Sequence, residues 1–131
     1  MGQQQLLLIV LGVIIVGIAV VVGINVFTVS SANSNRDAVI SDLTTLAAMS
    51  QQYYRKPTAM GGGGNAFNTS KGATAAWDVP ASLDTTANGI YTRTAVTANT
   101  VTLQGVGNEI GNDGSAAVQV TMEVGRNAIN T

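Results

Sequence analysis

The chain has 131 residues, of which 10% are charged; its net charge is −1 and it holds neither cysteine nor histidine. That length accommodates one domain and hardly two. The composition excludes disulfides, thiolate and imidazole metal sites and histidine acid–base catalysis, and the near-zero charge gives no electrostatic claim on nucleic acid or anionic lipid. The absence of cysteine leaves an extracellular location open. The apolar residues, 46% of the chain, are unevenly distributed.

From Leu6 to Ile24 the sequence reads LLLIVLGVIIVGIAVVVGI, nineteen residues without a charge or a polar side chain. As a helix this run spans roughly 28 Å, close to the hydrocarbon thickness of a bilayer. The first charged side chain is Arg36. A transmembrane helix is the direct reading. The rival is a cleaved secretory signal, with Ser30-Ser31-Ala32 as a weak cleavage motif. Such signals have a shorter apolar core, about 7–15 residues, behind a basic start. Met1 to Gln5 contains no Lys or Arg, although a single span is normally oriented by basic residues on its cytoplasmic side. This favours a mature form whose short basic leader was removed upstream of Met1. Gly12, Gly17 and Gly23 interrupt the run without a GxxxG spacing. They serve close helix packing, or act as flexible points where the helix partly unwinds outside lipid, since Gly costs about 1 kcal/mol against Ala in a helix interior.

Beyond Asn25 the pattern changes. Val39, Leu43, Leu46, Ser50 and Tyr53 recur at helical spacing, flanked by Ile40, Ala47 and Tyr54, and form one broad apolar stripe. Ser34 or Asn35 is suited to cap the start of this helix, with Asp37 in its first turn. Arg55 and Lys56 sit at its negative end, and Pro57 and Gly61 to Gly64 stop it. The intervening Thr28–Asn35 (TVSSANSN) reads equally as helix or as a short break.

Residues 57–88 are rich in Gly, Ala, Thr, Ser and Asn and read as an irregular connection anchored by Phe67 and Trp77. Three strand-like runs follow: Ile90–Val96, Asn99–Gln104 and Ala117–Val124. Val101 and Leu103 share one face of the second. In the third, Val118, Val120, Met122 and Val124 point inward, while Gln119, Thr121 and Glu123 point outward. Asn112-Asp113-Gly114 is a turn. Three antiparallel strands with one apolar face need a cover, and the helical stripe supplies it. The expected head core is therefore Val39, Leu43, Leu46 and Tyr53 against Val118, Val120 and Met122. The fold class is α+β: a long helix, apolar then amphipathic, on a small antiparallel sheet of about three strands. Its parts are an apolar helix (1–28), an amphipathic helix (29–56), a loop (57–88) and a sheet with its tail (89–131).

Motifs for chemistry are sparse. Gly61–Gly64 follows a helix and lacks the GKS or GKT of a phosphate loop. Glu109, Asp113 and Glu123 are close in sequence but lack EF-hand spacing and read as solvated turn carboxylates rather than a calcium site. Asn68-Thr69-Ser70 is an N-glycosylation triplet in the loop, so Asn68 is the candidate for sugar attachment. No nucleophile with a base and no carboxylate pair on one element is visible, so no enzyme, metal or cofactor is expected.

The layout of apolar N-terminal helix, amphipathic continuation, connecting loop and C-terminal antiparallel sheet resembles the type IV pilins and their secretion-system relatives, the pseudopilins, over essentially the whole chain. Met1 matches the residue with which such subunits often begin. The family's usual Glu at the fifth position is here Gln5, and the mid-helix Pro of many members is absent. The resemblance implies a homopolymer on the cell surface, drawn from a pool in the cytoplasmic (inner) membrane. Processing by a prepilin peptidase, N-terminal methylation and polymerisation by a pilus assembly machinery are implied with it. The implied assembly core is Met1, Gln5, Leu6, Leu7, Leu8, Ile9, Leu11, Ile14, Ile15, Ile18, Val21, Ile24 and Phe27. No nucleic acid partner is expected. The alternatives are a pseudopilin of a type II-like secretion system and a single-span anchored surface domain.

Overall fold

The structure, a computed structural model, describes residues 2–131. Helix α1 runs unbroken over Gly2–Arg55, 54 residues and about 80 Å at the standard rise. It passes straight through Thr28–Asn35, so no cap is formed at Ser34 or Asn35 and Asp37 lies mid-helix. Thr28 in this stretch, and Thr44 further along, are drawn back onto the helix instead. Thr28 Oγ1 donates to the carbonyl of Ile24 at 2.9 Å and Thr44 Oγ1 to that of Ile40 at 2.8 Å. Such bonds satisfy the side chain without breaking the backbone ladder, and extending an existing helix avoids the cost of a second nucleus.

The helix ends in a glycine turn whose amides close its last carbonyls. Gly63 N–H donates to the Tyr53 carbonyl (2.9 Å), Gly64 N–H to Lys56 (2.9 Å) and Asn65 N–H to Tyr54 (2.8 Å). Gly61, Gly64 and Asn65 adopt positive φ, which glycine tolerates without steric cost. A Cβ at Gly63 would stand 1.8 Å from the Ala66 carbonyl oxygen. The four glycines are thus the device that terminates α1 and turns the chain back onto it.

After two 3₁₀ turns, Thr58–Met60 and Thr69–Lys71, the chain forms an antiparallel sheet in the order β1-β2-β3-β4. The strands are β1 (Gly89–Val96), β2 (Thr100–Ile110), β3 (Ala117–Gly125) and β4 (Ile129–Asn130). The sheet has four strands rather than the three expected, because the tail folds back and pairs Asn130 with Glu123 and Ile129 with Val124. β2 also runs well past Gln104, where the strand pattern was expected to stop. Gly105 and Gly107 carry it on, and they are glycines because the helix lies against them. A Cβ at Gly105 would be 2.6 Å from Val39 Cγ1, and one at Gly107 would be 2.0 Å from Asn35 Oδ1. Glycine is depleted in strands generally, and here it marks a close approach.

The helix packs on β2 and β3. Val39, Leu43, Leu46, Val118, Val120 and Met122 are all buried there, together with Val101, Leu103 and Val124. Tyr91 and Phe67, at 1% and 0% exposure, are the largest of the fully buried side chains. Tyr53 was expected in this core but is only half-buried at its rim, where its hydroxyl donates to the Ala75 carbonyl. Its neighbour Tyr54 is the buried ring, 4.9 Å from Phe67 at a 41° tilt. Such a tilted contact suits the ring quadrupoles.

Candidate functional site

The feature that stands apart from this packed head is the first half of α1. The head begins at Ala32, the first buried residue of the helix. Every large apolar side chain from Leu6 to Val29 is exposed, from 47% at Val29 to 74% at Phe27. The most apolar 18-residue window has a mean hydropathy of 3.3, and none of it is covered by the rest of the chain. Leu, Ile and Val on all sides of a helix make it apolar all round rather than amphipathic. Such a helix is stable only when buried in lipid or among other helices. Exposed patches on soluble monomers are far smaller. This segment is long and apolar enough to cross a membrane.

The expected assembly residues Leu6, Leu7, Leu8, Ile9, Leu11, Ile14, Ile15, Ile18, Val21, Ile24 and Phe27 are all on this exposed rod. Gln5 lies on it within α1, and Met1 is outside the described residues. Gly12, Gly17 and Gly23 lie within unbroken helix, and a Cβ at any of them would meet nothing within 4 Å. Their openness leaves room for a neighbouring backbone to approach.

In the head, Asn68 is half-buried, and its Oδ1 accepts the Ser70 N–H at 3.0 Å and so caps the second 3₁₀ turn. Thr69 and Ser70 are exposed. Glu109, Asp113 and Glu123 are not brought together, and among the described residues no acidic group of metal-binding geometry occurs. Asp113 instead organises the β2–β3 turn. Its carboxylate accepts from the N–H groups of Ser115 (3.2 Å) and Ala116 (3.3 Å), which hold it below the ordinary carboxylate range.

The principal polar network lies on residues that the sequence reading passed over. Asp42 Oδ2 accepts from Tyr91 Oη (2.6 Å), Asn88 Nδ2 (3.0 Å) and Thr86 Oγ1 (3.1 Å). Burial alone raises the Asp42 pKa, and the three donors together outweigh it, so the carboxylate sits below its ordinary value. Tyr91 is pushed up to about 12 by burial and by its bond to Asp42. Lower down, Asn35 Nδ2 donates to the Asn88 carbonyl (2.9 Å) and Asn35 Oδ1 accepts the Glu109 N–H (3.3 Å). These bonds clamp the connection before β1 and the far end of β2 to the helix where it leaves the head. The only sequence signal for Asp42 was a carboxylate at the margin of an apolar stripe, one residue before Leu43.

The head thus grips its own helix firmly, and the helix then projects a long apolar rod from it. Comparison with protein-family models, with curated proteins and with solved structures found no match for the chain.

Proposed function

We propose that this chain is the structural subunit of an extracellular filament of the type IV pilin kind, a homopolymer held together by its N-terminal rod. The observation that carries the reading is the absence of a joint between rod and head in one helix of 54 residues. An anchor needs only a hydrophobic run and tolerates a flexible linker to its domain. A rod continuous with the core helix of its head fixes the head's position relative to the rod. Packing the rods side by side then sets the heads in a regular outer shell. The rod serves two environments in turn: lipid before assembly and copies of itself afterwards. At about 25 cal/mol per Å², burying apolar surface against copies gains little over lipid, so close packing around Gly12, Gly17 and Gly23 supplies the net drive.

Gln5 shapes the core of such a filament. With Gln in place of the family's Glu, no ionisable side chain occurs before Arg36. In the family that carboxylate neutralises a neighbouring subunit's N-terminal amine. Without it a buried amine has no charged partner, which is costly, and the amide oxygens of Gln3, Gln4 and Gln5 are the acceptors that take its place.

The test is to shear cells that make the protein and recover the released material by ultracentrifugation. Mass spectrometry of the pellet and negative-stain microscopy follow. Thin filaments whose main component is this chain are expected. Recovery of the protein solely in the membrane fraction would favour a single-span anchored domain, which the bilayer-matched length of Leu6–Ile24 would also serve.

A further inference from the structure

The net charge of −1 conceals a strong asymmetry along the head. The hydrogen bonds of Asn35 place Asn88 and Glu109 at the end nearest the rod. Gln51 Nε2 donates to the Gly125 carbonyl at 3.2 Å, which places Arg126 at the far end. The bonds from Phe67 N–H to the Ala98 carbonyl (3.1 Å) and from Tyr53 to Ala75 place the segment carrying Lys71 there too. The half near the rod exposes Asp37, Asp84, Glu109 and Asp113 against Arg36, a net −3. The far end exposes Arg55, Lys56, Lys71 and Arg126 against one carboxylate, Glu123 on β3, a net +3. Among the described residues the one ion pair is Arg93–Asp78 at 3.6 Å; it lies beside Tyr53 and Gly61 toward the far end and adds no net charge there.

The poles cannot neutralise each other within one molecule. Arg36 and Arg55 are nineteen residues apart on α1, about 28 Å, several times the Debye length of about 8 Å at physiological salt. They can meet between molecules. We infer that the basic far end of one head docks against the acidic rod-side end of the next copy's head, and that this pole-to-pole contact sets the axial order of the polymer. The contact rests on the filament reading above and specifies its outer interface. It joins two different patches, so it is heterologous and repeats without closing. Like poles repel, so it also gives the polymer one polarity. The dimensions agree: the rod from Gly2 to Ser31 is about 45 Å long, and the helix within the head, Ala32 to Arg55, about 36 Å. The space beside each rod therefore holds one further head.

The test uses full-length chains expressed in the native cells, with sheared filaments quantified against the membrane pool. Wild-type filaments are expected to shorten and release subunits as NaCl is raised from low salt to about 1 M, beyond which screening is nearly complete. The double reversal Lys56→Glu with Arg126→Glu is expected to lower the filament yield at least tenfold. Adding Glu109→Lys and Asp37→Lys is expected to restore it, because the pairing is then inverted rather than lost. All four side chains are exposed, and an unchanged thermal melt of each variant's membrane pool separates assembly from folding. Abundant filaments from the double reversal would overturn the inference and leave the filament reading intact. So would a loss of filaments that the second pair fails to rescue. Absence of filaments from the wild type would overturn both.

Discussion

The phenolic oxygen of Tyr91 on β1 lies 2.6 Å from Oδ2 of Asp42 on α1, and this bond ties the helix to the edge of the sheet that covers it. Removing the hydroxyl with Tyr91→Phe leaves Asp42 with its two other donors. Hydrogen bonds to a charged group contribute about 1.5–3 kcal/mol, so a loss of about 2 kcal/mol is expected in urea unfolding of the detergent-solubilised subunit.

The same pair sets the pH limits of the head. The carboxylate of Asp42 is held below its ordinary 3.8, so its contribution is present above that value and fades as the pH falls through its lower folded value. Tyr91 is raised from 10.0 to about 12. Its contribution is full below pH 10 and is lost as the pH climbs through about 12. Tyr91→Phe should therefore flatten the alkaline limb of the stability curve and also weaken the acid limb, because it removes the largest of the three hydrogen bonds that hold Asp42 low. Equal alkaline loss in both proteins would show that another group governs it.

Gly105 and Gly17 differ in what surrounds them. At Gly105 an added methyl meets Val39 Cγ1 at 2.6 Å and the Tyr91 ring at about 3.0 Å, and overpacking of this kind costs about 1–3 kcal/mol. At Gly17 it meets nothing, and helix propensity favours Ala by about 1 kcal/mol. Gly105→Ala should lower the subunit's unfolding midpoint. Gly17→Ala should leave it unchanged or raised, and any loss of filaments from that variant would report the close packing of rods.

Gly63→Ala should open the turn that closes α1, because the methyl would overlap the Ala66 carbonyl and crowd Tyr53 Cε1 at 2.7 Å. A loss of about 1–3 kcal/mol is expected. Faster exchange of the Gly63, Gly64 and Asn65 amides should accompany it, measurable by hydrogen exchange with mass spectrometry.

A charge within the rod should abolish filaments without unfolding the head. Val16→Asp and Ile15→Lys each place an ion where all neighbours are apolar, which costs several kcal/mol or more whether the surroundings are lipid or other rods. Sheared fractions of either variant should be empty, and normal filaments would count heavily against the account.

The apolar rod, the stripe that buries Val39, Leu43 and Leu46, and the alternation of β3 were legible in the sequence because each is a periodic pattern set by burial. What escaped depended on single contacts between distant segments. Gly105 and Gly107 looked like the end of a strand, because what requires them, Val39 and Asn35, lies more than sixty residues away. Asn35 looked like a cap because its side chain suits one, yet the continuous helix left it free to bind Asn88 and Glu109. Asp42 carried no pattern, since its partners Thr86, Asn88 and Tyr91 come from the loop and β1. The two-residue β4 is too short to leave a periodic trace. Tyr53 and Tyr54 are adjacent on the helix, and the stripe's spacing placed Tyr53 in the core where the structure buries Tyr54.

The central claim is that the rods bundle at the axis of a filament with the heads outside. Electron cryomicroscopy of filaments sheared from producing cells, followed by helical reconstruction, tests it most directly. The account predicts a central bundle of helices into which residues 2–29 fit, surrounded by heads that carry α1 and its four-stranded sheet. Filaments whose axis is built from another protein, or this protein recovered only as dispersed copies in the membrane, would contradict it.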